Sequence, residues 1–203
     1  MSLDDTITRM GNALDAYAAR AHRRDIAAED GDLYGVPPAM ADGPVDEDGW
    51  VGWRMHPSTI GVSDVDALQG MTGHSLPPSF RAYLLARCHL FDQVHCAGRQ
   101  QLVSLPRMPS DDPLAHLRQL IEAWRPLLVG GYVPFAQWGD GWGPMCFDTC
   151  AVDEYGEYSI VWFDHEQVYF PVPEGYSTRE WVEGWAEPLY GSFQALFNDA
   201  FCT

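Results

Sequence analysis

Apolar side chains recur at spacings of three and four near the start of the chain, at Leu3, Ile7, Met10, Leu14, Tyr17, Ala18 and Ala21, while Arg20, Arg23, Arg24 and the acids fall on other faces. A stripe of that period predicts an amphipathic helix over residues 3–28. The pattern then dissolves. From Asp25 to Gly52 there are eight acidic residues, no basic ones, Pro37, Pro38, Pro44 and five glycines, which reads as a loop or mobile arm. Trp50 to His56 predicts a short strand entering the main domain, and Val62 to Leu68 a short helix.

Pro77 and Pro78 suit the opening of a helix, because first-turn amides have no intrahelical acceptor and a missing N–H costs little there. Phe80, Tyr83, Leu84 and Cys88 then share one face. Asp112 as cap and Pro113 at the first position predict another helix, with Leu114, Leu117, Leu120, Ile121 and Trp124 as its stripe and Pro126 as its stop. Beyond Pro126 the period changes to that of strands. Gly130 and Gly131 precede Tyr132 to Ala136, the Gly139-Asp140-Gly141 turn follows, and Met145 to Asp148 returns as a hairpin. Pro134 marks an edge or a bulge. The turn Asp153 to Gly156 leads into Tyr158 to Phe163, and Gln167 to Phe170 is a further strand candidate. Ser192 caps a last helix with Phe193, Leu196, Phe197 and Ala200 on one face. No internal repeat is present.

Composition narrows the picture. With 203 residues, 46% of them hydrophobic and 20% charged, the chain suits one globular domain with an accessory arm. Eight Trp, nine Tyr and nine Phe supply a core with aromatic surface to spare. No apolar run approaches the roughly 20 residues of a membrane helix. The acidic start Ser2-Leu3-Asp4-Asp5 is unlike an export signal, so a cytoplasmic location is expected. Cys88, Cys96, Cys146, Cys150 and Cys202 are odd in number, without a CxxC pair, and are read as reduced thiols. All 12 basic residues are arginine, a usage typical of GC-rich bacterial genomes.

Charge changes the picture most. The net charge is -17, and residues 126–203 carry 12 acidic side chains against Arg179 alone. Such a surface repels nucleic acid and anionic membrane, and attracts basic proteins over a Debye length of about 8–10 Å. Asp164-His165-Glu166 is the segment nearest to a catalytic pattern, with Asp148 as a further carboxylate for a divalent cation. On a continuing strand, however, His165 would face away from both acids. A polar strand end, with Asp164 capping the next turn and His165 meeting a backbone carbonyl, is the favoured reading. Cys88-His89 and His95-Cys96 have zinc-ligating chemistry, but adjacent side chains diverge and structural zinc sites space their ligand pairs by about two to four residues. Gly139-Asp140-Gly141-Trp142-Gly143 lacks the register of a P-loop or dinucleotide site. It reads as a turn that either buries Trp142 or presents it as a binding anchor.

Four ordered segments, Leu76 to Leu85, Val133 to Asp148, Ile160 to Glu166 and Ser192 to Phe197, together resemble the SUKH superfamily across residues 50–203. The resemblance implies a single α+β domain, with a mostly antiparallel or mixed β-sheet packed against several α-helices. Residues 1–49 would add an N-terminal helix and an acidic arm. Where the family usually ends its Leu-Pro helix at an Asn-Gly pair, this chain has Cys88 to Asp92. Many bacterial members of the family look like immunity proteins against secreted toxins, and yeast members regulate cell-wall synthesis. The resemblance therefore implies a non-enzymatic protein, without metal or cofactor, that neutralises a secreted basic toxin. The expected toxin is a nuclease, whose phosphate-binding arginines and lysines carboxylates would occupy, or another enzyme with a basic groove. The candidate contacts are Trp142, Asp153, Glu154, Glu157, Asp164 and Glu166, with the acids of 42–48 as a second choice. A regulatory scaffold is the alternative function, and an enzyme using Asp164, His165 and Glu166 a third.

Overall fold

The computed structural model describes residues 2–29, 34–168 and 170–202. It is one α+β domain. In chain order the elements are α1 (Leu3–Ala18), β1 (Arg24–Ile26), β2 (Ala41–Asp42), β3 (Trp50–Trp53), β4 (His56–Pro57), α2 (Val62–Thr72), α3 (Pro78–Ala86), β5 (Arg87–Cys88), β6 (Gln93–Cys96) and β7 (Gln101–Ser104). They continue with α4 (Ala115–Ala123), α5 (Pro126–Val129), β8 (Tyr132–Trp138), β9 (Gly143–Val152), β10 (Tyr158–Trp162), α6 (Thr178–Val182), β11 (Glu187–Tyr190) and α7 (Phe193–Phe201).

Among the described residues the main sheet has six antiparallel strands in the order β11-β10-β9-β8-β7-β6. Alternation along its strands feeds two cores. Val133, Phe135, Met145, Phe147 and Ile160 face the main core, whereas Tyr132, Cys146, Val161 and Phe163 join a second one with Leu127, Val168 and Val182. At the centre of the main core Phe135 and Phe147 stack at 4.0 Å, and Phe80 of α3 meets both together with Phe193 of α7. Pro134 sits at a register shift between β8 and β9, so of the two readings the bulge holds. The sheet curls. Arg99, in the turn after β6, lies over the Tyr190 ring at 5.2 Å and donates to the Leu189 carbonyl on the opposite edge strand.

Several sequence expectations need correction. The first helix ends at Ala18 instead of running to 28, because the chain beyond it pairs with β3: Arg24 lies opposite Gly52 and Ile26 opposite Trp50. The arm is consequently not a loose loop over its described part. Its strands form a small sheet in the order β1-β3-β2, and Val36 and Met40 are buried in the main core. Arg107 fastens it, with Nη2 2.8 Å from Asp25 Oδ2 and Nη1 donating to the Tyr34 carbonyl. The helix after Pro77 stops at Ala86, so Cys88 does not extend its face but lies in β5, paired with His56 of β4. Helix α4 begins two residues after Pro113, with Leu114 at the cap position, since Asp112 instead holds Arg118. Pro126 opens the short helix α5. Asp164 to Gln167 form a turn, with no strand at 167–168; Tyr169 lies outside the described residues.

Candidate protein-binding surface

The β8–β9 turn fixes Trp142. Gly139 and Gly141 have φ of 62° and 79°, backbone that suits glycine. A Cβ on Gly139 would lie 2.8 Å from the Trp142 ring, so the indole seats directly on that glycine. The Trp142 N–H donates to the Trp138 carbonyl at 3.0 Å, and its own carbonyl receives the His165 N–H at 3.0 Å. His165 Nδ1 stands 2.6 Å from the same carbonyl. Gly143 has φ 152°, and a side chain there would collide with the Phe163 carbonyl, which is how the 163–165 segment approaches so closely. The ring remains 50% exposed.

Asp164 caps its own turn, its Oδ1 accepting the Glu166 N–H at 2.9 Å. Glu166 is exposed beside it. These are the roles expected of a polar strand end. Two further acids and an aromatic, none of them among the candidate contacts read from the sequence, join this end of the sheet. Asp140 is exposed and accepts from Gln93 Nε2 at 3.0 Å. Glu187 pairs with Trp162, which also pairs with Met145 near the start of β9, and exposed Trp185 lies two residues before it. Strand register was the missing information, because β11 was not legible as a strand.

Asp153, Glu154 and Glu157 lie elsewhere. They occupy the β9–β10 turn at the far end of the hairpin: Val152 pairs with Tyr158, four steps of β10 and about 13 Å at about 3.3 Å per step from Trp162, which pairs with Met145 near the Trp142 end. The six candidates therefore do not form one patch. Asp153 Oδ1 accepts the N–H groups of Tyr155 at 2.8 Å and Glu157 at 2.9 Å, shaping the turn. Glu157 is structural: its carboxylate accepts the Ser79 N–H at 2.8 Å and the Ser79 hydroxyl at 2.5 Å, capping α3. It is not a free contact of an exposed turn. A cleft of about 570 Å³ opens here among the N-termini of α1, α3 and α7. Each terminus carries an internal cap: Ser2 accepts from the Asp5 N–H, Glu157 from the Ser79 N–H and Ser192 from the Ala195 N–H.

Arg179, the one cation of residues 126–203, is committed inward. It makes a bidentate pair with Asp148 at 2.8 and 2.9 Å and lies over the Tyr132 ring at 4.6 Å. That contact raises the guanidinium pKa further, chiefly through the hydrogen bonds to Asp148, while burial lifts the Tyr132 phenol to about 12. The acids of the Trp142 end face solvent without compensation from it.

The zinc-type residues are dispersed in role. Cys88, His89 and Cys96 are buried, and His95 is exposed. His89 Nε2 meets the Tyr83 hydroxyl at 2.7 Å, and burial, followed by the charge of Arg107, lowers its pKa to about 3. Among the described residues no three His, Cys, Asp or Glu side chains converge as metal ligands would. No helix among them is long and apolar enough to cross a membrane. No protein-family model matches the chain, and the search of characterised proteins finds no match either.

Proposed function

We propose that this chain is a non-enzymatic binding protein of the SUKH-like immunity type, which neutralises a basic secreted toxin in the cytoplasm. The toxin class that fits best is a nuclease, since its phosphate-binding groove must present arginine and lysine. The observation that carries the reading is Trp142, an aromatic ring held by backbone bonds and a glycine seat, half exposed, at a sheet end bearing Asp140, Asp164, Glu166 and Glu187. A pre-positioned aromatic loses little conformational freedom on binding, and interface energy concentrates in such anchors. The surrounding carboxylates steer a cationic partner and exclude anionic ones.

Contact at this end needs neither Glu157 nor Asp153, both of which serve the fold. The test is co-expression with the toxin encoded beside this chain. Trp142→Ala should abolish protection while the protein remains folded, and Glu154→Lys should leave protection intact. Full protection by Trp142→Ala, or a neighbouring reading frame that encodes no toxin, would count against the reading.

A further inference from the structure

The arm carries a second surface, of independent construction. In β3 the side chains alternate, with Val51 and Trp53 turned into the core and Trp50 outward. Ile26 lies directly opposite Trp50 across the β1–β3 pair, so the two exposed side chains are cross-strand neighbours on the outer face. Gly52, between Arg24 and Asp42 in register, leaves that face low, and any Cβ there would come within 2.8 Å of the Asp42 carbonyl. Beside it a groove of about 520 Å³ runs between Ile26–Glu29 and Val45–Gly49. Val45 on its wall is 53% exposed and Trp50 is 41% exposed.

This face is rigidly built. Asp46 Oδ1 accepts the N–H groups of Asp48 at 3.0 Å and Trp50 at 2.8 Å, and its Oδ2 is paired with Arg24. Those backbone bonds, followed by the Arg24 contacts, hold the Asp46 carboxyl below its ordinary pKa. Two acids of the arm are thus used internally, Asp46 here and Asp25 at Arg107. Glu29, Asp42, Glu47 and Asp48 remain exposed around the apolar strip.

We propose that the outer face of the β1–β3–β2 sheet docks a cationic amphipathic segment of a partner protein, its apolar side chains on Ile26, Val45 and Trp50 and its lysines or arginines on the surrounding carboxylates. Charge decides the occupant. Nucleic acid, anionic lipid and a second copy of this chain would all bring like charge to the same rim. An apolar strip with an acidic border matches the anatomy of a helix-in-groove site for basic targets. The proposal uses no residue of the Trp142 end; the acids of 42–48, the second choice for toxin contact from the sequence, serve here as the rim of a separate site for a different segment.

The test is fluorescence anisotropy of the whole chain with a labelled 14-residue peptide of leucine and lysine in helical amphipathic register. One control peptide has glutamine for leucine and another glutamate for lysine. The leucine–lysine peptide should bind at least tenfold more tightly than either control. Trp50→Thr should weaken it at least tenfold, and Trp142→Thr should leave it unchanged. Should Trp50→Thr fail to fold, Val45→Ser combined with Glu47→Gln takes its place, and amide shifts of the native chain should map to Ile26, Val45 and Trp50. Equal binding of the glutamine control would reduce the site to non-specific charge. Loss of binding on Trp142→Thr instead of Trp50→Thr, or dimerisation of the chain that Trp50→Thr abolishes, would overturn the proposal. Protection from a toxin is not measured in any arm, so failure of one proposal leaves the other standing.

Discussion

Replacing Glu157 by alanine separates a fold residue from a contact residue. Helix α3 starts at Pro77 and Pro78, which have no side chain able to cap and no N–H to donate, so the first amide needing an acceptor is that of Ser79. Glu157 supplies it, together with an acceptor for the Ser79 hydroxyl. A hydrogen bond to a charged group contributes about 1.5–3 kcal/mol, and a carboxylate at a helix N-terminus about 0.3–1 kcal/mol more. Water recovers part of the loss, because Glu157 is only half-buried. Glu157→Ala should therefore cost about 2–3 kcal/mol, and at about 2–4 °C per kcal/mol for a chain of this size the Tm should fall by roughly 4–12 °C. Glu157→Gln keeps an acceptor and should fall between alanine and the native protein. Glu154→Ala, three residues away and exposed, should stay within about 0.5 kcal/mol of native. Urea and thermal melts at pH 7 read all three. Equal stability of Glu157→Ala and Glu154→Ala would refute the capping argument and return Glu157 to the list of free contacts. Reversing both residues to lysine would mix folding with recognition, so Glu154→Lys alone is the clean electrostatic probe at that turn.

Leu84 is 2% exposed on the α3 face that meets the sheet, so Leu84→Ala should cost about 2–5 kcal/mol in a urea melt; an unchanged midpoint would place that face outside the core. His89, with its pKa lowered to about 3, stays neutral in the fold while the unfolded chain protonates near 6.5. Its contribution to stability is therefore complete above pH 6.5 and is lost on acidification, by about 1.4 kcal/mol between pH 7.5 and 5.5; His89→Gln should flatten the stability profile over that interval. Arg179→Leu leaves Asp148 nearly buried and unpaired, and should cost about 2–3 kcal/mol after allowance for the one-quarter exposure of the guanidinium. Removing both charges, as Arg179→Leu with Asp148→Leu, should recover most of that loss in the same melt.

The parts of the fold legible in the sequence were those with a strong local period or a specific end signal. The stripe of α1, the Pro-Pro start of α3, the β8–β9 hairpin with its Gly-rich turn and the Ser192 cap of α7 all appear near their expected positions. What escaped was decided by tertiary pairing. Strands β1, β2, β6, β7 and β11 have two to four residues each, too short for a period to show. Arg24 to Ile26 looked helical by spacing, yet strand pairing with Trp50 to Gly52 prevails. The acidic arm looked unstructured because its order comes from Val36 and Met40 entering a distant core and from Arg107 reaching Asp25. For the candidate surface, residue type singled out Trp142, Asp164 and Glu166, which the fold brings to one end of the sheet, but no local pattern could reveal that Glu157 caps α3 or that β11 brings Glu187 to the Trp142 end.

The proposed capture of a cationic protein by the acidic, Trp142-bearing end of the sheet makes a kinetic prediction. Stopped-flow association with the proposed toxin, taken from the neighbouring reading frame if that frame encodes one, is to be measured against salt for native protein and for Trp142→Ala. Screening acts on long-range encounter, so the native association rate should fall steeply as salt rises while dissociation changes much less. Trp142→Ala removes an anchor but no charge, so it should keep that salt slope and dissociate at least tenfold faster. An association rate indifferent to salt, together with native dissociation by Trp142→Ala, would contradict the claim.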